Sequence, residues 1–179
     1  MRTGAVLDRS SLQRYLAATP PLVEGLPFPD QQLQPNGIDL TVRTVARLVG
    51  SGRLGAAPAD RVLPHQEPVP FGAGWAVLPP GPYLVTLNEV LHLPTDVMAL
   101  GRPRSTLLRS GVAVHNAVWD AGYHGRSQVL LVVYHPAGFA VERNARIVQL
   151  VFFTLVQPVD QGYQGAYQGR VWEEPEGLG

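Results

Sequence analysis

The chain has 179 residues, of which 45% are hydrophobic and 16% are charged, so it is long enough to bury a sizeable core. Its 14 basic and 14 acidic residues cancel, which gives no general reason to expect nucleic-acid binding. All the basic residues are arginine, so Schiff-base and P-loop lysine chemistry are excluded. The lack of cysteine excludes disulfides, thiol nucleophiles and Cys-ligated metals.

The location of the protein follows from two further features. No segment is long and apolar enough to cross a membrane, and residues 1–10 are polar and charged, unlike a secretory signal. We therefore expect a soluble cytoplasmic protein that binds neither membranes nor nucleic acid.

The 5 histidines lack a paired spacing such as HxxxH, so a zinc site is not expected.

The first predicted element is a short helix over residues 7–18, where apolar residues recur at three- and four-residue spacing. Asp8 or Ser10 is expected to cap its N-terminus, and the prolines at 20 and 21 end it. Further along, the sequence predicts a loop over 26–37, a strand over 38–49 and an exposed loop over 51–68.

From residue 75 onward, short aliphatic and β-branched runs alternate with turns that contain Pro, Gly, Asp or Asn. The predicted strands are 75–78, 83–87, 97–100, 112–114, 129–134, 139–141 and 147–156. This rhythm is typical of an all-β sandwich, jelly roll or barrel. We expect one domain over 1–179, in which the polar, aromatic segment 157–179 forms a C-terminal tail able to close over a ligand.

Residues 114–133 predict two strands joined by a tight turn around Asp120 and Gly122. The turn carries one carboxylate, Asp120, and one aromatic ring, Tyr123, which together suit the floor of a pocket. Aspartate also favours ordinary turns, because its side chain bonds nearby backbone. From these residues alone, both interpretations stay open.

Residues 97–159 contain 6 arginines but only 2 carboxylates, an excess that suits phosphate binding as well as a solvated surface. Within this span, Arg104 and Arg109 flank the hydroxyl residues Ser105 and Thr106 in the sequence. Forked guanidinium donors, hydroxyls and backbone N–H groups can hold a phosphate chain. The alternative is a helical turn capped by Ser105, and the two interpretations are compatible.

Five segments, in the same order along the chain, resemble motifs of the dUTPase and dCTP deaminase superfamily. Their sequences look closest to those of dUTPases of archaeal type. They are QPNGIDL (34–40), RSTLLRSG (104–111), VWDAGYHG (118–125), NARIVQLVFF (144–153) and YQGAYQG (163–169). The resemblance covers most of residues 7–170. It implies a distorted β jelly roll (β-clip), a homotrimer with sites between subunits, and Mg²⁺ bound through the substrate triphosphate.

Two chemistries occur in that superfamily, and one residue separates them. Deamination of cytosine needs a carboxyl group that shuttles protons between water and the leaving amine. The resemblance puts the deaminase glutamate at Leu130 or Val132, and an aliphatic side chain transfers no proton. Glu142 lies beyond the following turn, with no evident route into the pocket. Deamination is therefore disfavoured.

Hydrolysis of dUTP to dUMP and pyrophosphate needs one carboxylate that activates water, and Asp120 stands at the position of the family's water-activating aspartate. We therefore expect a dUTP diphosphatase with Mg²⁺. One rival is a dCTP deaminase, or an enzyme of this fold acting on both dCTP and dUTP. The other is a non-catalytic trimer that only binds nucleotides.

The remaining roles are implied by the resemblance. The phosphate contacts would come from Arg104, Ser105, Thr106, Arg109 and Gln149, and the closing tail would supply Tyr163, Tyr167 and Gln168. Tyr123 would pack on the deoxyribose and exclude a 2′-hydroxyl, unless it is only a core aromatic. Asn116, where the family favours Thr, would read the uracil edge. Asp39 would organise waters around the metal, or else bond only backbone at the start of a strand.

Overall fold

The computed structural model describes residues 4–171, and strands dominate them. The helices are α1 (Arg9–Leu16), α2 (Pro29–Gln32) and α3 (Ser105–Arg109), with a 3₁₀ turn at Pro58–Asp60. The strands are β1 (Val23–Glu24), β2 (Leu33–Gln34), β3 (Gly37–Val49), β4 (His65–Val69), β5 (Trp75–Leu78), β6 (Gly81–His92), β7 (Val97–Pro103), β8 (Val112–His115), β9 (His124–Val133), β10 (Phe139–Glu142) and β11 (Arg146–Thr154).

Helix α1 confirms the prediction for the start of the chain. The Asp8 side chain caps it by accepting a 2.7 Å hydrogen bond from the backbone N–H of Ser11, and this bond lowers the pKa of the Asp8 carboxyl. Leu12 is fully buried. Ala17 ends the helix, three residues before Pro20.

One large antiparallel sheet organises the fold, with the order β7-β11-β3-β6-β9-β8 and with β1, β2 and β4 paired alongside. A two-way backbone bridge between Ala99 of β7 and Trp119, which follows β8, joins the two ends of this path. The sheet is thus nearly closed and barrel-like, and the expected all-β jelly-roll fold is confirmed. Within residues 4–171, no helix combines the length and the apolar composition needed to cross a bilayer.

The core lies between the central strands, where alternate side chains point inward. In β9 every second residue from Gly125 to Val133 is buried. The largest fully buried side chains on the central strands include Ile38, Leu40, Leu87, Leu131, Leu150 and Phe152. This packed sheet fixes the backbone from which the turn at Asp120 projects.

A buried polar network crosses the same core near a bulge between β3 and β6. The fully buried Glu89 carboxylate accepts hydrogen bonds from Gln32 Nε2 at 2.7 Å and from Thr41 Oγ1 at 2.6 Å. Its second oxygen accepts from the backbone N–H of Thr41 at 3.0 Å. Burial raises the pKa of the Glu89 carboxyl, against the opposing effect of these bonds.

Two loop predictions from the sequence were wrong in detail. The predicted loop 26–37 contains α2 and β2, because proline at the first turn of a helix is well tolerated. The predicted exposed loop 51–68 ends in β4, which pairs with β3. This strand is mostly exposed and carries polar residues and Pro68, so it shows no alternating apolar pattern.

Candidate active site

The segment that carries Asp120 is longer than the sequence suggested. Strands β8 and β9 do pair, with Val112 opposite Val133, but residues 116–123 separate them, so the prediction of a tight turn directly between the strands was wrong. The expected turn lies within this connection, where the backbone N–H of Tyr123 donates to Asp120 O at 3.1 Å. Gly122 supplies the positive φ of 81° that the turn requires.

The backbone on the other side of Asp120 is equally constrained. Trp119 exchanges two hydrogen bonds with Ala99 of β7, at 2.9 and 3.1 Å. Asp120 thus stands between a residue held by β7 and a turn that leads into β9, while its own side chain is exposed. A carboxylate whose backbone is held by hydrogen bonds on both sides is suited to orienting a water molecule.

A cavity of about 380 Å³ lies against this turn. Its lining includes the predicted residues Asp120, Tyr123, Tyr163 and Tyr167. Among the described residues that line it, Asp120 supplies the only carboxylate. The structure therefore brings together the carboxylate, the hairpin aromatic and two tail tyrosines that the sequence pointed to.

Three residues of β9 that the sequence reasoning did not assign to a site also line this cavity: Arg126, Ser127 and Gln128. The Arg126 guanidinium donates to the carbonyls of Leu87 and Asn88 in β6, and burial lowers its pKa. Gln128 Nε2 donates to Thr86 Oγ1 at 3.0 Å. No motif marks these positions, although the two-residue period of the strand puts Arg126 and Gln128 on one face.

Tyr123 is both a cavity residue and a buried aromatic, being only 7% exposed. Burial raises the pKa of its phenol. The Tyr163 ring meets it edge-to-face, with 5.6 Å between ring centroids. The two interpretations of Tyr123 are thus compatible, since one face of the residue belongs to the core and another borders the cavity.

The tail packs on the turn of the same chain. The backbone N–H of Tyr163 donates to Ala121 O at 2.9 Å. The Gln168 side chain donates to Gly122 O and accepts from the backbone N–H of His124, both at 2.9 Å. Two further backbone bonds join Gly169 to His124 and Arg126 to Arg170. Residues 172–179 of the predicted tail lie outside the described residues.

The predicted phosphate-binding residues lie elsewhere. Arg104 and Thr106 line a second cavity of about 370 Å³, together with Arg146 and Glu142. Ser105 and Arg109 are exposed on α3, where an Arg109 N–H donates to the Ser105 carbonyl at 3.1 Å. Ser105 is not the cap, because Arg104 occupies the N-cap position, where its side chain makes no capping hydrogen bond. None of these residues lines the Asp120 cavity.

Asp39 anchors this second group. Its carboxylate is 2% exposed and lies 3.3 Å from Arg104 Nε and 3.4 Å from an Arg146 guanidinium nitrogen. Burial raises the pKa of the Asp39 carboxyl, although both arginines act to lower it. The alternative in which Asp39 bonds only backbone was therefore wrong. Gln149 pairs with Asp39 across β11 and β3 and with Arg102 across β11 and β7.

Asn116 lies over β7 rather than in the first cavity. A Cβ added to Gly101 would come within 2.8 Å of the Asn116 amide nitrogen and 2.9 Å of the Trp119 ring. Leu130, at one position where a deaminase glutamate would stand, is half-buried and pairs with Leu84 and His115. Among residues 4–171, no group of three or more His, Cys, Asp or Glu side chains could hold a metal ion.

Comparisons with known proteins agree with this architecture. The chain is 44% identical over 165 residues to a probable deoxyuridine 5′-triphosphate nucleotidohydrolase of Methanosarcina mazei, covering 92% of this chain and 96% of the relative. It is 51% identical over 140 residues to the protein of the same name in Archaeoglobus fulgidus, covering 78% and 82%.

The fold is also shared with a solved structure, the 2′-deoxycytidine 5′-triphosphate deaminase of Agrobacterium tumefaciens. The TM-score is 0.66 at 24% identity over 86% of this chain, which spans about half (49%) of that longer chain. The model of the dCTP deaminase-like family matches residues 6–155. The chain therefore belongs to the dCTP deaminase-like family.

Proposed function

We propose that the protein is a dUTP diphosphatase that hydrolyses dUTP to dUMP and pyrophosphate. The observation that carries this proposal is the Asp120 carboxylate. It lies between the Trp119–Ala99 bridge to β7 and the turn at Gly122, and it is the only carboxylate among the described residues that line the cavity. The names of the archaeal relatives support the same substrate.

Asp120 is the general base of the proposed reaction. Its carboxylate orients a water molecule and accepts a proton from it as the water oxygen bonds to the α-phosphorus. The bond from that phosphorus to the bridging oxygen breaks, and pyrophosphate leaves with the electron pair. In this scheme the Tyr123 ring packs against the deoxyribose and leaves no room for a 2′-hydroxyl. Asn116 lies outside the Asp120 cavity of one chain, so its role at the uracil edge rests on the resemblance alone.

The phosphate-binding half of the site comes from another subunit in this proposal. Asp120 and Arg104 border different cavities of one chain, so neither cavity of a single copy holds both the base and the arginine. A homotrimer with sites between subunits would bring Arg104, Ser105, Thr106, Arg109 and Gln149 of one copy to the turn of the next. The tail residues Tyr163, Tyr167 and Gln168 would then close over the bound nucleotide.

The magnesium ion is proposed to arrive as part of the substrate. The described residues do not form a metal cage, and the Asp39 carboxylate is engaged by two arginines, so direct ligation by the protein does not fit. Phosphate oxygens are common Mg²⁺ ligands in such sites. The substrate would be the Mg²⁺ complex of dUTP.

The rival deaminase reaction lacks its proton carrier. It would need a carboxyl group beside C4 of the base. The resemblance puts that glutamate at Leu130 or Val132, which are aliphatic, and Glu142 borders the other cavity. The relation to deaminases in family and fold therefore does not by itself support ammonia release.

Hydrolysis in ¹⁸O-labelled water tests the proposed reaction. Attack on the α-phosphorus puts the label into dUMP and leaves pyrophosphate unlabelled. Label in pyrophosphate would mean attack on the β-phosphorus and would contradict the role given to Asp120. Binding of dUTP without any product would instead support a non-catalytic nucleotide-binding protein.

A further inference from the structure

A chain of three hydrogen bonds runs behind the candidate site. The Trp119 indole N–H donates to Ser127 Oγ at 2.7 Å, Ser127 donates to the Tyr123 hydroxyl at 3.3 Å, and Tyr123 donates to the Arg126 carbonyl at 3.3 Å. The three side chains are buried, with exposures of 6, 6 and 7%. Every donor in the chain therefore has an acceptor inside the protein.

Because of the position of Ser127, these three hydrogen bonds also hold the segment that carries Asp120, besides satisfying buried polar groups. Trp119 directly precedes Asp120, and Tyr123 closes the turn that begins at Asp120. Ser127 lies on β9, which is paired with β6 across several residues. One hydroxyl on the sheet thus holds the side chains at both ends of the segment that carries the carboxylate.

The Ser127 hydroxyl is also difficult to replace, because it accepts from one partner and donates to the other. An alanine there would leave the buried indole N–H without its acceptor. It would also free the Tyr123 hydroxyl from one of its two bonds, and a movement of the ring away from the 380 Å³ cavity would make room for a 2′-hydroxyl.

We propose that Ser127 is a positioning residue that fixes the Tyr123 ring and thereby sets the preference for 2′-deoxyribose over ribose. This inference rests on the proposed function, in which that ring packs against the sugar. Steric exclusion of one hydroxyl depends on a ring held in a fixed position, since a displaced ring relieves the clash with the added oxygen atom. Ser127 itself does not touch the reacting atoms.

The test compares Ser127→Ala, Tyr123→Phe and the double variant with the parent, using dUTP and UTP as separate substrates. The readout is the ratio of kcat/KM for UTP to kcat/KM for dUTP. Ser127→Ala is expected to raise this ratio about tenfold, within the range that pocket contacts provide. Tyr123→Phe should act in the same direction, and the double variant should exceed neither by much, because both remove one link of the same chain.

A conservative variant provides the control. Ser127→Thr keeps the hydroxyl and should retain the parental ratio, even if its extra methyl lowers the thermal midpoint. A parental ratio in both Ser127→Ala and Tyr123→Phe would overturn the inference and leave Ser127 with a structural role only. If the parent cleaves no dUTP at all, the proposed function fails and this inference fails with it, so the two failures are distinguishable.

Discussion

The Asp39 carboxylate on β3 lies 3.3 Å from Nε of Arg104, the residue that begins the α3 segment. The same carboxylate is 3.4 Å from Arg146 on β11. A buried anion thus holds two cations at the edge of the second cavity, where the proposed phosphate chain would arrive. This relationship gives the Asp39 side chain two cationic partners, and its role in organising waters around the metal stays a prediction.

Replacement of Asp39 by asparagine should therefore weaken both stability and substrate binding. The uncharged amide no longer balances two half-buried guanidinium groups, and we expect a loss of about 2 kcal/mol in unfolding free energy, measured by urea denaturation. KM for dUTP should rise as Arg104 loses its fixed position. The exposed Asp30→Asn is the matched control and should behave like the parent. Equal curves for both variants would refute the anchoring role.

Asp120→Asn should keep nucleotide binding and lose turnover. The amide preserves the shape of the side chain but cannot accept the proton of water, so kcat should fall by roughly 10²–10⁴-fold. Calorimetric titration with a non-hydrolysable dUTP analogue should still give parental affinity. Asp160→Asn, on the exposed part of the tail, makes the same chemical change away from the turn. Undiminished turnover in Asp120→Asn would remove this residue from the mechanism.

Deletion of the chain from Tyr163 onward should lower turnover and leave a folded protein, because the tail bonds to the turn and contributes little to the core. A finer version is Gln168→Ala, which removes the two hydrogen bonds to Gly122 and His124. The exposed Gln164→Ala is its control. Thermal unfolding and steady-state rates are measured together, and an unfolded truncation would show that the tail is structural instead.

Gly101→Ala should impair the site through packing. The new methyl group would meet the Asn116 amide at 2.8 Å and the Trp119 ring at 2.9 Å, and so would push on the segment that carries Asp120. We expect a clear fall in kcat with the sheet intact by circular dichroism. Gly72→Ala is the control, since an added Cβ there meets nothing within 4 Å. Parental activity in Gly101→Ala would show that the segment tolerates displacement.

Stability should fall with rising pH because of Glu89. Burial raises the pKa of its carboxyl in the folded protein above the ordinary value of 4.5. Between the two values the folded state binds more protons than the unfolded chain, so this contribution is full below pH 4.5 and is lost as pH rises through the folded pKa. Glu89→Gln cannot titrate.

The difference in unfolding free energy between the parent and Glu89→Gln isolates that contribution from other titrating groups. It should decrease as pH increases above about 4.5, when measured by urea denaturation across a pH series. A difference that stays constant or increases with pH would contradict the raised pKa. The variant should also be less stable overall, since in either amide orientation its NH₂ group would face a donor that the carboxylate now accepts from.

The sequence predicted the strands of the barrel well because their alternation and their Pro and Gly turns are local signals. It also predicted the cavity residues Asp120 and Tyr123, through motif order. It missed Ser127, because a serine in a strand gives no sign that an indole and a phenol will meet it. It missed Glu89 as a buried group, since nothing nearby in sequence shows that Gln32 and Thr41 come to meet it.

The separation of Asp120 from Arg104 is another feature that local patterns do not contain. Both residues lie in motifs, but the sheet directs them to different cavities of one chain. Only the three-dimensional path of β7, α3 and β8 reveals that separation. The homotrimer that would bring the two residues together at one site is a prediction. The single-domain organisation and the use of Mg²⁺ remain predictions as well.

The most direct test of the account offers dUTP and dCTP separately to the protein with Mg²⁺ and follows pyrophosphate and ammonia in the same reactions. Release of pyrophosphate from dUTP, with no ammonia from dCTP, is the predicted result. Ammonia from dCTP would contradict it. That result would mean that another group replaces the missing glutamate, which the resemblance puts at Leu130 or Val132, in carrying the proton of deamination.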